Sequence, residues 1–77
     1  MIQIIERDKE GTISSTQYIR VDIVNTVDGY SVVLIPASIK EQELILATEL
    51  TKQKAILLAL QLEALTTSDN YTIEINN

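Results

Sequence analysis

AILLALQL at residues 55–62 is a run of eight residues without a charge, inside a stretch, residues 37–77, that contains neither Gly nor Pro. The run predicts a helix, because Ala and Leu are strong helix formers. A helix that is apolar around most of its circumference must be buried on most of its sides. A chain of 77 residues has little material with which to bury it. We therefore expect a second chain to cover part of this run.

The helix is predicted to begin at Ser38. SIKE at residues 38–41 matches a capping box, in which the serine oxygen accepts from a backbone amide of the first turn and the glutamate reaches back to the cap. A helix from there to about Leu65 would be about 42 Å long at 1.5 Å per residue. The alternative is a break near Thr48 and Thr51, where a threonine would cap a second helix.

Alternating segments predict the strands. Residues 2–6 predict a first strand, residues 12–15 a short second one, and YIRVDIVNT at residues 18–26 a half-buried strand. The strand after it should end at Pro36, which cannot donate a hydrogen bond to a ladder. YTIEIN at residues 71–76 predicts a closing strand, because its apolar and polar residues alternate.

Asp28-Gly29 is the strongest turn signal in the chain. A type I′ turn requires positive φ at both central residues, and Asp-Gly adopts that conformation easily. A two-residue loop closed there pairs Ile23 with Leu34 and places the apolar residues of both strands on one face.

These elements predict one α+β domain over residues 1–77. Its sheet should be small and mainly antiparallel, with three or four strands in the order β-(β)-β-β-α-β. We expect this sheet to pack on one long helix at about residues 38–65.

The predicted helix carries two apolar stripes about 100° apart, and between them runs a line of Glu43, Lys54 and Gln61. Strands of six residues are about 20 Å long and would cover only about half of such a helix. The second neighbour should therefore be another chain, although a bent helix that wraps its own sheet is the alternative. We predict self-association, most simply as a two-fold dimer, through Leu44, Ala55, Leu58, Leu62 and Leu65.

Composition excludes several classes of chemistry. The chain has neither cysteine nor histidine, which excludes disulfides, thiolate metal sites and Ser-His or Cys-His nucleophiles. The pairs Asp8 with Glu10 and Glu41 with Asp22 could exchange protons, but their positions in turns, at a cap or on a charged strand face favour structural roles. We predict no enzyme activity, catalytic residue, cofactor or metal.

The formal net charge is −5, and the six basic residues are scattered. Direct nucleic-acid binding needs clustered Lys and Arg, so we expect none. The first ten residues lack the pattern of a signal peptide, and no apolar run approaches the roughly 20 residues of a membrane span. We expect an intracellular, cytoplasmic protein that does not bind membranes.

The predicted function is that of a small, acidic accessory protein that binds an unidentified protein partner, such as a phage-type or mobile-element-type inhibitor. One alternative is an acidic inhibitor that imitates nucleic acid. Another is a carrier that holds an apolar ligand in a cavity lined by Leu46, Leu50 and Leu57. The predicted partner surface lies on the central hairpin, at Tyr18, Arg20, Val24, Val33 and Ile35.

Overall fold

The computed structural model describes residues 1–67 and 70–76. It contains five strands and one helix, which are β1 (Ile2–Arg7), β2 (Ile13–Thr26), β3 (Gly29–Pro36), β4 (Leu44–Leu50), α1 (Lys52–Thr67) and β5 (Tyr71–Asn76). The strands form one sheet in the order β4-β3-β2-β1-β5, in which β1 and β5 are parallel and the other pairs are antiparallel.

The predicted fold class is wrong in its architecture. The molecule is a mixed five-stranded half-barrel with one short helix of 16 residues, and it is not a small sheet packed on a long helix at residues 38–65. The coarser assignment to a small single-domain α+β protein is confirmed. The helix begins 14 residues later than predicted, at 52 instead of 38, because residues 44–50 form a strand.

The burial pattern of β4 shows why apolar residues at helical spacing do not identify a helix in this segment. Its partly buried residues, Leu44, Ala47 and Leu50, are three apart, as on a helix face. The strand achieves this spacing with two irregularities in its register, each of which adds one residue. The three residues pair with β3 residues that are only two apart, which are Leu34, Val32 and Tyr30. The second irregularity includes Glu49, whose φ of 57° lies in the left-handed region.

β3 supplies the physical reason for this strand. Its residues 31–34 are buried without a break, so both faces of this part of the strand are covered, as is typical of the interior of a sheet. The β3 backbone groups on the side away from β2 need partners, and β4 provides them. The pairing of β3 with β4 therefore prevails over the capping motif that begins at Ser38, and residues 38–41 form only a single turn. There Lys40 N donates to Ser38 Oγ at 3.3 Å and Glu41 N donates to the Ser38 carbonyl at 3.2 Å.

Thr51 caps the helix that does form. Lys54 N donates to Thr51 Oγ1 at 3.3 Å, and Ala55 N donates to the Thr51 carbonyl at 3.0 Å. This is the hydrogen-bond pattern of an N-cap. The alternative of two helices separated by a break is therefore right only in part. Thr51 does cap a helix, but the segment before it is strand β4 and not a first helix.

The hairpin between β2 and β3 differs from the prediction by two residues. Its loop is Val27 and Asp28, and Gly29 already belongs to β3 with a φ of 130°. Asp28 does not have the positive φ that a type I′ turn requires. Ile23 consequently pairs with Val32. Because a shift of two preserves the alternation, Val21, Ile23, Val32 and Leu34 still share the predicted face, whereas Ile19, also predicted there, has no partner on β3.

β2 is the long strand that joins the two halves of the sheet. Its first part pairs with β1 and its second part with β3, so the predicted short strand at 12–15 and the strand at 18–26 are one element. A register shift between Tyr18 and Arg20 leaves Ile19 as an extra residue and turns Tyr18 toward α1. The core there consists of Ile2, Tyr18 and Leu34, with Ile4, Val21, Leu44 and Leu65 packed around it.

The helix covers only part of this face. The 14 residues of β2 would span about 46 Å if straight, whereas the 16 residues of α1 span about 24 Å. α1 contacts β2, β3 and β4. Its last turn lies at the start of β1, where the Met1 ammonium donates to the Thr66 carbonyl and Tyr71 N donates to the Met1 carbonyl. The part of the face formed by β1 and β5 extends beyond the helix.

Candidate association surfaces

The first surface is the side of α1 that faces away from the sheet. Ala55 has no exposed area and marks the side that packs on the sheet. Leu60 lies about 140° around the helix from Ala55 at 100° per residue. It is 58% exposed, and its neighbours Ile56 and Leu57 are 39% and 63% exposed. We refer to Ile56, Leu57 and Leu60 as the outer ridge.

The charged residues of α1 lie between its two apolar sides, whereas the uncharged Gln53 lies on the outer side, about 160° from Ala55. By the same angular placement, Lys52 and Glu63 fall on one flank, and Lys54 and Gln61 on the other. An ordinary surface helix has one apolar side toward the core and a polar side toward water. α1 instead has apolar residues both toward its own sheet and away from it, so the outer ridge is the surface that a second partner would cover.

The second surface lies on β5. In the parallel ladder Tyr71 pairs with Ile2, Ile73 with Ile4, and Ile75 with Glu6. Because Ile2 and Ile4 belong to the core beneath α1, their β5 partners lie on the same face of the sheet. These partners are nevertheless 49%, 46% and 40% exposed. We refer to Tyr71, Ile73 and Ile75 as the β5 patch.

The total surface area is large for a chain of this size. The structure exposes 5758 Å², whereas a folded monomer of 8.6 kDa is expected to expose about 4700 Å². Among the described residues, Val32 is the one large side chain with less than 2% of its area exposed. The difference of about 1000 Å² is similar to the roughly 800 Å² that each partner buries in a standard protein interface.

The residues predicted for self-association have contacts within the chain. Leu44 and Leu65 pack against the core cluster, and Ala55 is fully buried against the sheet. Leu58 and Leu62 are partly buried on the same side of α1. The large apolar residues of the helix that remain exposed are those of the outer ridge. Sequence reasoning assigned the sheet-facing stripe to the second chain, because periodicity does not show which stripe faces the sheet.

The structure divides the predicted partner surface between two faces. Tyr18, only 7% exposed, lies in the core on the α1 side. Arg20 and Ile35 pair with each other on the opposite face, where Val24 is exposed. Val33 also lies on that face but is 3% exposed.

Arg20 forms an exposed ion pair with Asp22, with Nε and Oδ1 3.2 Å apart. The face opposite α1 therefore presents this ion pair, Val24 and Ile45, which pairs with Val33 and is 61% exposed. We refer to it as the outer sheet face.

Two of the four carboxylates considered for proton transfer, Asp8 and Asp22, have structural partners. Asp8 Oδ1 accepts from Glu10 N at 2.9 Å and from Thr12 N at 2.8 Å, which shapes the connection between β1 and β2. The Asp22 carboxylate forms the ion pair with Arg20 described above. Among residues 1–67 and 70–76, no group of three or more acidic side chains is placed to hold a metal ion.

Two open clefts surround the connection between β3 and β4. One has a volume of about 250 Å³ and is lined by polar residues that include Ser15, Gln17 and Glu41. The other has a similar volume and includes Ile39 and Glu43. Neither contains Leu46, Leu50 or Leu57, the residues predicted to line a carrier cavity, and Leu46 and Leu57 are exposed.

No protein-family model matches the chain, and neither does any curated protein or solved structure. Within the described part of the chain, no helix has the length and apolar character needed to cross a membrane. The exposed surfaces of the chain itself are therefore the features that can indicate its function.

Proposed function

We propose that this chain is a small, acidic, non-enzymatic accessory protein that acts as a homo-oligomer, in the simplest case a dimer, and binds another protein. The observation that carries the proposal is the outer ridge of α1. It consists of three large apolar side chains on the side of the helix that its own sheet does not cover.

The energy of covering this ridge supports self-association. Full burial of a Leu or Ile side chain stabilises by about 1.5 to 3 kcal/mol, so covering three half-exposed ones would contribute about 2 to 5 kcal/mol. The total stability of a domain of this length is about 4 to 12 kcal/mol. An interface of this kind would thus contribute a large fraction of the stability of the chain.

The outer sheet face is the proposed surface for the other protein. It lies on the side of the sheet away from α1, so self-association through the helix would leave it accessible. Val24 and Ile45 supply exposed apolar area, and the Arg20–Asp22 ion pair supplies charges of both signs beside it. Apolar side chains surrounded by polar ones are typical of a protein interface.

Light scattering of the purified chain at micromolar concentration tests the proposal. We expect at least twice the chain mass of 8.6 kDa. Leu60→Glu should give a folded monomer, because it places a charge in the proposed interface. Gln61→Glu is the matched control, since it introduces the same residue on the flank of the same helix turn and should leave the mass unchanged. A wild-type monomer with cooperative unfolding would overturn the proposal.

A further inference from the structure

We propose that α1 of a second copy of this chain lies on the β1–β5 part of the sheet face, with its outer ridge on the β5 patch. By two-fold symmetry, α1 of the first copy lies in the same place on the second. This inference rests on the self-association proposed above, and it adds the surface that receives the helix.

The dimensions of the uncovered sheet fit one more helix. α1 is about 24 Å long and leaves about half of the length of β2 free. The half of β2 that pairs with β1 belongs to this free length, and β5 lies beyond β1 at the edge of the sheet. β1 and β5 have six residues each and are therefore about 20 Å long. Two adjacent strands are about 10 Å wide, which is close to the diameter of a helix. A second α1 would therefore fill the space that the first leaves open.

The chemistry of the two surfaces also fits. The outer ridge presents Ile56, Leu57 and Leu60, and the β5 patch presents one tyrosine and two isoleucines. The outer ridge and the β5 patch consist of uncharged residues. Glu6, which pairs with Ile75 on the same face, lies at the end of the patch, where its carboxylate can stay in water. A helix placed between two sheets needs apolar residues on two opposite sides and polar residues on its flanks. This is the distribution that α1 has.

The excess of exposed area favours a second copy of the chain over an unrelated ligand. One reciprocal contact covers the outer ridge and the β5 patch of each chain. It would account for the excess of about 1000 Å² in exposed area, which matches what each subunit of a standard dimer buries. A contact between two outer ridges would leave both β5 patches in water. A contact between two β5 edges would leave both ridges exposed.

Cysteine cross-linking tests this arrangement, because the chain has no cysteine of its own. Leu60→Cys and Ile73→Cys are prepared as separate proteins, mixed to exchange subunits and treated with a short bismaleimide. This reagent is needed because a helix and a sheet in contact are further apart at Cα than a disulfide allows. Peptide mass spectrometry identifies the linked residues. We expect a link between residues 60 and 73 of different chains.

Two controls use adjacent positions. Gln61→Cys replaces Leu60→Cys on the flank of the helix, and Thr72→Cys replaces Ile73→Cys on the other face of β5. Both should lower the yield of the link severalfold. Links from 60 to 60 or from 73 to 73 without a link from 60 to 73 would overturn the inference, and so would a dimer that gives no link. A monomer in light scattering would instead contradict the proposed function itself.

Ile73→Glu provides a second measurement that does not depend on cross-linking. A charge buried under the partner helix should raise the dissociation constant of the dimer about a hundredfold or more. Thr72→Glu on the opposite face of β5 should leave it nearly unchanged. Circular dichroism checks that both variants retain the fold. Equal effects of the two substitutions would show that the β5 patch is not covered by a second copy.

Discussion

Glu49→Gly should raise the free energy of unfolding in the observed fold, whereas it would lower it if residue 49 belonged to a continuous helix. The substitution therefore tests the architecture. Glu49 has a φ of 57° in the irregular part of β4. An L residue in the left-handed region costs about 1 to 2 kcal/mol, which glycine avoids. Glycine loses about 0.5 to 1 kcal/mol through the extra entropy of the unfolded chain. The net effect should be a gain of about 0.7 kcal/mol.

The measurement is urea unfolding followed by far-UV circular dichroism at one fixed protein concentration. A domain of this size has a slope of about 1 kcal/mol per molar urea, so the midpoint should rise by about 0.7 M. Glu63→Gly is the control within α1, where glycine should lower the free energy of unfolding by about 0.5 kcal/mol. If Glu49→Gly lowers the midpoint as Glu63→Gly does, residue 49 is helical and the account of β4 given above is wrong.

Two further substitutions test local features of the fold. Thr51→Ala should lower the free energy of unfolding by about 1 kcal/mol through loss of the cap of α1, whereas Ser38→Ala, in an isolated turn, should cost less than half as much in the same urea titration. Equal costs would place a helix start at Ser38. Gly29→Ala should destabilise by at least about 1 kcal/mol, because its φ is 130° and the new Cβ would lie 3.0 Å from the Leu50 carbonyl oxygen. An unchanged midpoint would show that β3 and β4 do not approach each other there.

The alternation of apolar and polar residues was sufficient to predict most of the strands. The hairpin of β2 and β3 was predicted with the correct faces even though its register was wrong by two. Ile23 faces the helix side whether it pairs with Leu34 or with Val32. The face on which each residue lies is a robust prediction, because a register error of one residue would turn every apolar side chain of that face toward solvent. The exact register depends on φ at Asp28, which the sequence does not determine.

β4 could not be predicted from periodicity, because irregular strand register imitates a helix. Leu44, Ala47 and Leu50 are spaced as on a helix, and SIKE at residues 38–41 is a genuine helix-start motif. The available signal was the uninterrupted apolar run within β3, which indicates a central strand that needs a neighbour on each side. That run lies in β3, whereas the segment whose assignment depends on it is residues 44–50. Reading each segment by itself therefore missed it.

The proposal of a second chain follows from the predicted architecture and from the observed one alike. In the predicted fold the sheet was too short to cover a 42 Å helix. In the structure the helix is too short to cover the sheet, and apolar residues remain exposed on both elements. Both conclusions have the same cause, because 45% of the 77 residues are hydrophobic and so short a chain has a high ratio of surface to volume. What the structure adds is the location of the uncovered residues, which places the proposed contact on the outer ridge and the β5 patch instead of on the stripe that α1 uses to bind its own sheet.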